Sequence, residues 1–285
     1  MASPTWSASL PGWTLARGRD VGEHDAVFAA GIALKSLDDL IRADPPWIGC
    51  WCDRLALKSA AVAAGMLGRS EEEYALRDAV LLMPEYGDPG PAGRLFLATR
   101  LLARQSRMPG TPFVKELATL FSIRWDDDLA SITDLIDTAI QSGRAAPLVV
   151  ADLISAITSL RADAEVLALG LGEVVLAVKL KWPKPVPLLL PTRFGSAFRT
   201  TGGRGRARPG EPAYPKAICL AVVSSVEAAL QSAPDIDRRA ARLMAAVPKV
   251  RTKGGDAVIQ KLRNEDDSGL GAGLQSVTLG SHSTV

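Results

Sequence analysis

The sequence predicts an all-α fold, an irregular multi-helix bundle of roughly ten or eleven helices that also carries a Pro-rich extended segment and an Arg/Gly-rich loop. Three observations carry that prediction. Ala, Leu and Val dominate a hydrophobic content of 47%, while aromatic residues reach only 5%, a balance suited to packed helices rather than sheets. Apolar residues recur at helical spacing between clear start and stop signals. No stretch alternates apolar and polar residues for long enough to make a strand. At 285 residues the chain is also long enough to bury a sizeable core.

The elements follow in order. Between Glu23 and Ala43, Val27, Leu34 and Ile41 recur at heptad spacing with Leu37 between them, which lays one apolar face along a helix. Asp44-Pro45-Pro46 ends it, since proline cannot donate to the helical ladder. A second helix runs from about Trp47 to Leu67 and closes at Gly68. Ser70 with Glu73 predicts a capping box opening a helix that reaches about Met83. The turn from Gly87 to Gly90 sets Pro91 at the first position of the next helix, which ends near Gln105, and Thr111-Pro112 opens another. Asp126, Asp127 and Asp128 start a helix whose Leu129, Ile132, Ile136 and Ile140 share a face, the carboxylates favouring the positive end of the dipole. Pro147 starts the following helix, and Asp163 caps the nearly all-apolar one after it. Further helices are predicted over residues 215–231, 235–247 and 255–263.

The segment WPKPVPLLLP, Trp182 to Pro191, interrupts this series, because its four prolines end the preceding helix and force an extended course. It divides the chain. Residues 1–22 form an N-terminal extension, 23–182 an acidic helical body, 183–212 the Pro-rich segment and basic loop, and 213–263 a basic helical part expected to pack on the body. Residues 264–285 are small, polar and glycine-rich and are expected to be disordered.

The net charge of +2 hides a segregation. Residues 1–178 carry 16 basic and 23 acidic residues, a net of −7, whereas residues 179–263 carry 17 basic and 5 acidic, a net of +12. Such asymmetry points to nucleic acid or an acidic protein as partner, or to the two parts facing each other. Three cysteines in this length are no disulfide framework and fit a reducing cytoplasm. The N-terminus MASPTWSASLPGW lacks the pattern of a signal peptide. The most apolar run, Val166 to Val178, is shorter than the about 20 residues that span a bilayer, and Glu173 interrupts it. A cytoplasmic protein with no membrane partner is therefore expected.

Motifs for catalysis or metal binding are sparse, so neither a cofactor nor a metal is expected. Cys50 and Cys52 would point to different faces of a helix, and His24 and His282 are the sole histidines. The acidic clusters Glu71 to Glu73 and Asp126 to Asp128 sit at predicted helix starts, where capping explains them. Gly170-Leu171-Gly172 lacks the strand and third glycine of a dinucleotide fingerprint and reads as close helix packing. Glu173 lies on an apolar helix and predicts a buried ion pair with Arg54, Arg77 or Arg94. An enzyme built on Glu173 and arginines is the remote alternative.

The basic part carries the sharper expectation. Arg204, Arg206 and Arg208 lie in the loop, Arg238, Arg239 and Arg242 share a helical turn, and Lys249, Arg251 and Lys253 lie in a connection. Converging on one side, these three clusters would grip an anion such as the phosphates of a nucleic acid.

Several stretches together resemble an uncharacterised bacterial family, domain of unknown function 1403. They are LPGW (Leu10 to Trp13), LIRADPPWIGCWCDRLALKSAA (Leu40 to Ala61), EEEYALRDA (Glu71 to Ala79), DPGPAGRLFLA (Asp88 to Ala98), LKWPKPVPLL (Leu180 to Leu189) and RTKGGDAVIQKL (Arg251 to Leu262). The resemblance spans about residues 10–262, and Asn264 to Val285 departs from it and reads as a truncated end. It implies no activity and carries over no site residue. The reading is thus a non-enzymatic binding or regulatory protein, with a helical scaffold free of nucleic acid as the alternative.

Overall fold

The computed structural model describes residues 6–14, 21–84, 87–200 and 205–246. Their helices are α1 (Glu23–Ala43), α2 (Ile48–Met66), α3 (Glu73–Leu81), α4 (Gly90–Arg104), α5 (Thr111–Leu120), the four-residue α6 (Asp127–Ala130), α7 (Ile132–Gln141), α8 (Ala146–Leu160), α9 (Glu165–Leu180) and α10 (Tyr214–Ala246). Single 3-10 turns occupy Ala162–Ala164, Leu190–Thr192 and Ser196–Phe198. No strand occurs among the described residues, only an isolated antiparallel bridge between Arg199 and Arg206. The fold is all-α.

Two predicted helices are merged into one for a physical reason. The helices predicted over 215–231 and 235–247 are one continuous helix, α10, which passes through Pro234. Proline there removes the donor for the Leu230 carbonyl and would ordinarily kink or break the helix. Two indole N–H groups hold the chain on either side of it. Trp51 donates to the Ala229 carbonyl at 3.1 Å and to Ser232 Oγ at 3.0 Å, and Trp47 donates to Asp237 at 2.7 Å. Tertiary anchoring therefore overrides the local signal. The helix expected over 255–263 and the tail 264–285 lie outside the described residues.

Two predicted caps are also corrected. Ser70 forms no capping box, because α3 begins only at Glu73 with Glu72 at its N-cap, and Glu71 instead pairs with Arg69. Asp163 caps nothing. It sits in the 3-10 turn before α9 and binds the Arg161 guanidinium at 2.8 Å. Asp126 does cap as expected, accepting the Leu129 N–H at 3.1 Å, and Ser131 then separates α6 from α7.

The core is one contiguous cluster running from Leu10 to Ile236. Helix α1 lies against α10, α2 against α3 and α4, and α8 between α7, α9 and α10. Helix α9 is buried along nearly its whole length, which its two glycines permit. A Cβ at Gly170 would stand 2.4 Å from Leu102 Cδ1, and one at Gly172 would stand 3.0 Å from Val150 Cγ1. They are close-packing positions, as the sequence predicts. Buried Asp53 ties α2 to α4 by holding Arg104 at 2.9 Å and Arg100 at 3.3 Å. The Trp182 indole donates to Asp38 at 3.0 Å and so fastens the end of α9 to α1.

Helix α10 is long and apolar enough to cross a membrane by length and composition, yet most of that stretch is buried inside the bundle. A core helix has the same composition.

Glu173 is buried, as expected, but the predicted ion pair is absent. Its Oε1 accepts the backbone N–H groups of Leu188 at 2.9 Å, Leu189 at 2.7 Å and Leu190 at 3.2 Å. Arg77 binds Asp78 at 2.9 Å and Arg94 binds Asp88 at 2.8 Å, while Arg54 lines a cleft elsewhere. The Pro-rich segment accounts for this arrangement. Held out of a helix between Pro187 and Pro191, three successive amides have no ladder partner, yet Leu188, Leu189 and Leu190 are fully buried. Buried N–H groups need an acceptor, and the carboxylate supplies one.

Burial raises the Glu173 carboxyl from 4.5 to about 7, against the opposing pull of the three N–H donors. The folded state therefore keeps a proton that the unfolded chain releases near pH 4.5. Stability from this group is complete below pH 4.5 and is lost as pH rises through about 7, by about 3 kcal/mol. Urea melts across pH 4 to 8 should show this fall, and Glu173→Gln should flatten it. Glu173→Leu strands three buried donors and should destabilise the fold by at least about 3 kcal/mol. Gly170→Ala, forced against Leu102, should cost about 1–3 kcal/mol in the same melts.

Candidate functional site

The C-terminal turns of α10 are largely exposed, with Ala240 packed against the core. Ala233 and Ile236 are its last buried residues, and Asp237, Arg238, Arg239, Ala241, Arg242, Met244 and Ala245 are all exposed. Asp235 holds Arg238 at 3.3 Å and Arg239 at 2.8 Å on its own helix. Arg242 follows one turn later on the same side.

At the base of this end, α2, α3 and α10 enclose a cleft of about 550 Å³. Arg54, Lys58, Arg77 and Arg239 line it together with Glu73 and Asp235, a net of +2, over a floor that includes Trp51, Leu55 and Ile236. Three of these four cations lie on the acidic body, so charge counting by segment did not find the site. The signal available was the spacing of Arg54 and Lys58, one helical turn apart beside Trp51.

The loop residues sit elsewhere. Arg206 turns inward, donating to the Gly195 carbonyl at 2.9 Å and stacking 5.9 Å from the Phe194 ring centre. Arg208 is exposed, and its backbone N–H donates to Glu211 at 2.9 Å. The loop is tied to the start of α10 through the Ala207 N–H to Phe198 carbonyl bond at 2.7 Å and the Phe198–Tyr214 ring contact at 6.0 Å. From Tyr214 to Arg238 the helix rises about 36 Å. Arg206 and Arg208 therefore lie far from Arg238, Arg239 and Arg242 along α10. Arg204, Lys249, Arg251 and Lys253 lie outside the described residues.

Of the acidic clusters, Glu73 alone among the described residues lines the cleft beside Arg239 of the basic part. Asp126 binds Arg161 and Glu71 binds Arg69, both within the body. One pair does cross: Arg193 binds Glu165 at 2.6 Å while lying 5.2 Å from the Phe198 ring centre. Sequence reasoning passed over Arg193 because a single arginine after the proline run has no distinguishing context.

Glu173 is buried, its Oε1 takes up three backbone amides, and it does not line the α2/α3/α10 cleft. The thiols are equally withdrawn. Burial pushes Cys219 up to about 12, and burial with the Asp53 carboxylate does the same to Cys52. A thiol held so high yields little thiolate for attack.

The family model described as protein of unknown function (DUF1403) matches residues 3–281. That match extends through most of residues 264–285, so the departure expected for the tail is corrected. No curated protein and no solved structure matches the chain.

Proposed function

Since the chain belongs to the DUF1403 family, whose description names no activity, we propose from its geometry that it is a non-enzymatic binding or regulatory protein that contacts nucleic acid, or a comparably acidic surface, through the basic end of α10. The observation that carries this reading is the exposure of Arg238, Arg239 and Arg242 on the last turns of α10, where Ala240 still packs against the core. A helix end with so little buried surface contributes little to packing, and its arginines are presented to solvent. The anchoring of Asp237 by Trp47 holds its root in place, so less ordering cost falls on association.

The scaffold reading, in which the two charged parts neutralise each other, is favoured by the Arg193–Glu165 pair and by Glu73 lining one cleft with Arg239. It requires the remaining basic residues to face the acidic clusters. Among the described residues, Arg206 turns to a carbonyl and Arg238 and Arg239 share Asp235 on their own helix. The binding reading accounts for these placements more directly.

Fluorescence anisotropy of labelled single-stranded and duplex oligonucleotides, titrated in rising salt, tests the proposal. Binding that weakens with salt, and whose salt slope falls by about one per arginine removed in Arg238→Gln and Arg242→Gln, is expected. Absence of binding at low salt to both oligonucleotides and to poly-glutamate would leave the scaffold reading in place.

A further inference from the structure

We infer that the cleft between α2, α3 and α10 is a binding site for a small molecule carrying a phosphate group. Its lining favours an anion: Arg54, Lys58, Arg77 and Arg239 outnumber Glu73 and Asp235, with Asp78 paired to Arg77 beside them. The donors fit as well. Guanidinium groups offer planar forks that match phosphate oxygens two at a time, and Lys58 adds a mobile ammonium. Lys58 is exposed and has no ion pair among the described residues, so its charge is available. Arg77 and Arg239 are held by Asp78 and Asp235 in pairs that are substantially exposed, at 37% and 60% for the arginine side chains. Exposed pairs of this kind contribute little, so a doubly charged ligand displaces them readily.

The volume says more about the ligand. About 550 Å³ lies within the range of small-molecule pockets, roughly 300–1,000 Å³, and exceeds what an inorganic ion fills. The edges of Leu55, Leu57 and Ile236 supply apolar surface beside the charged groups. A phosphate would engage the cations while an organic remainder covers these side chains. The Trp51 indole N–H, committed to Ala229 and Ser232, lies buried beneath this surface.

This site is separable from the contact proposed for the helix end. Lys58 and Arg77 line the cleft and lie on α2 and α3, whereas Arg238 and Arg242 lie on the exposed end and do not line it. Titration of the full chain with inorganic pyrophosphate, followed by calorimetry and by the Trp51 indole resonance in nitrogen-proton spectra, tests the inference. Saturable one-to-one binding that moves the Trp51 resonance is expected. Lys58→Gln and Arg77→Gln should each weaken it by about tenfold, and Arg242→Gln should leave it within about twofold. Lys58 is exposed, so its variant keeps the fold even where Arg77→Gln does not. Absence of saturable binding at low salt, or binding unchanged in Lys58→Gln, overturns the inference, whatever the oligonucleotide result.

Discussion

The bundle depends on how the Pro-rich segment is satisfied inside the core. Val186, Leu188, Leu189 and Leu190 are buried where prolines forbid a helical ladder, so the peptide groups must find partners on other elements or pay a desolvation penalty. Glu173 takes three N–H groups from α9, and Ser225 on α10 donates to the Leu188 carbonyl. Thr192 serves the carbonyls of Leu188 and Leu189 at 3.2 and 3.0 Å. One irregular segment thereby links α9 to α10. A buried carboxyl is an expensive group, and its retention is explained by the three donors that an apolar side chain could not serve.

With that segment fixed, the course of α10 follows. Its first half is buried against α1 and α8, with Tyr214, Ile218, Val222, Val226 and Leu230 turned into the core. Its second half loses that cover beyond Ile236. Trp51 and Trp47 hold the passage between the two regimes by hydrogen bonds on both sides of Pro234. The same residues therefore support a helix through proline and set the direction in which its basic end points. Function, on the reading proposed, rests on anchors drawn from α2 and the turn before it.

The all-α class and most helix positions were legible because periodicity and proline punctuation are local signals; α1 runs from Glu23 to Ala43 as its pattern predicts. The misses share a cause. Whether Pro234 breaks a helix depends on indoles about 180 residues earlier in the chain, and no local pattern encodes them. Glu173 was recognisable as buried and costly, but its partners are backbone amides, which every residue except proline carries and no composition marks. The usable clue was the bracketing of Leu188 to Leu190 by Pro187 and Pro191. The candidate cleft was illegible for another reason: it draws cations from the segment whose total is negative, and a summed charge says nothing about which side chains meet.

The two proposed anion sites are not electrically independent, because Arg239 lines the cleft and also sits on the face that carries Arg238 and Arg242. Asp235 binds both Arg238 and Arg239. A dianion in the cleft would draw Arg239 away from Asp235 and leave that carboxylate to Arg238 alone, which lowers the positive field at the helix end. Neighbouring positions on a helix face are about 5–6 Å apart, well inside the Debye length of about 8 Å at physiological salt, so screening does not remove the effect. A ligand in the cleft therefore disfavours a polyanion on the helix end. By linkage the polyanion disfavours the ligand to the same degree. Asp235, one carboxylate serving two guanidinium groups, is the point through which a small molecule would regulate a macromolecular contact.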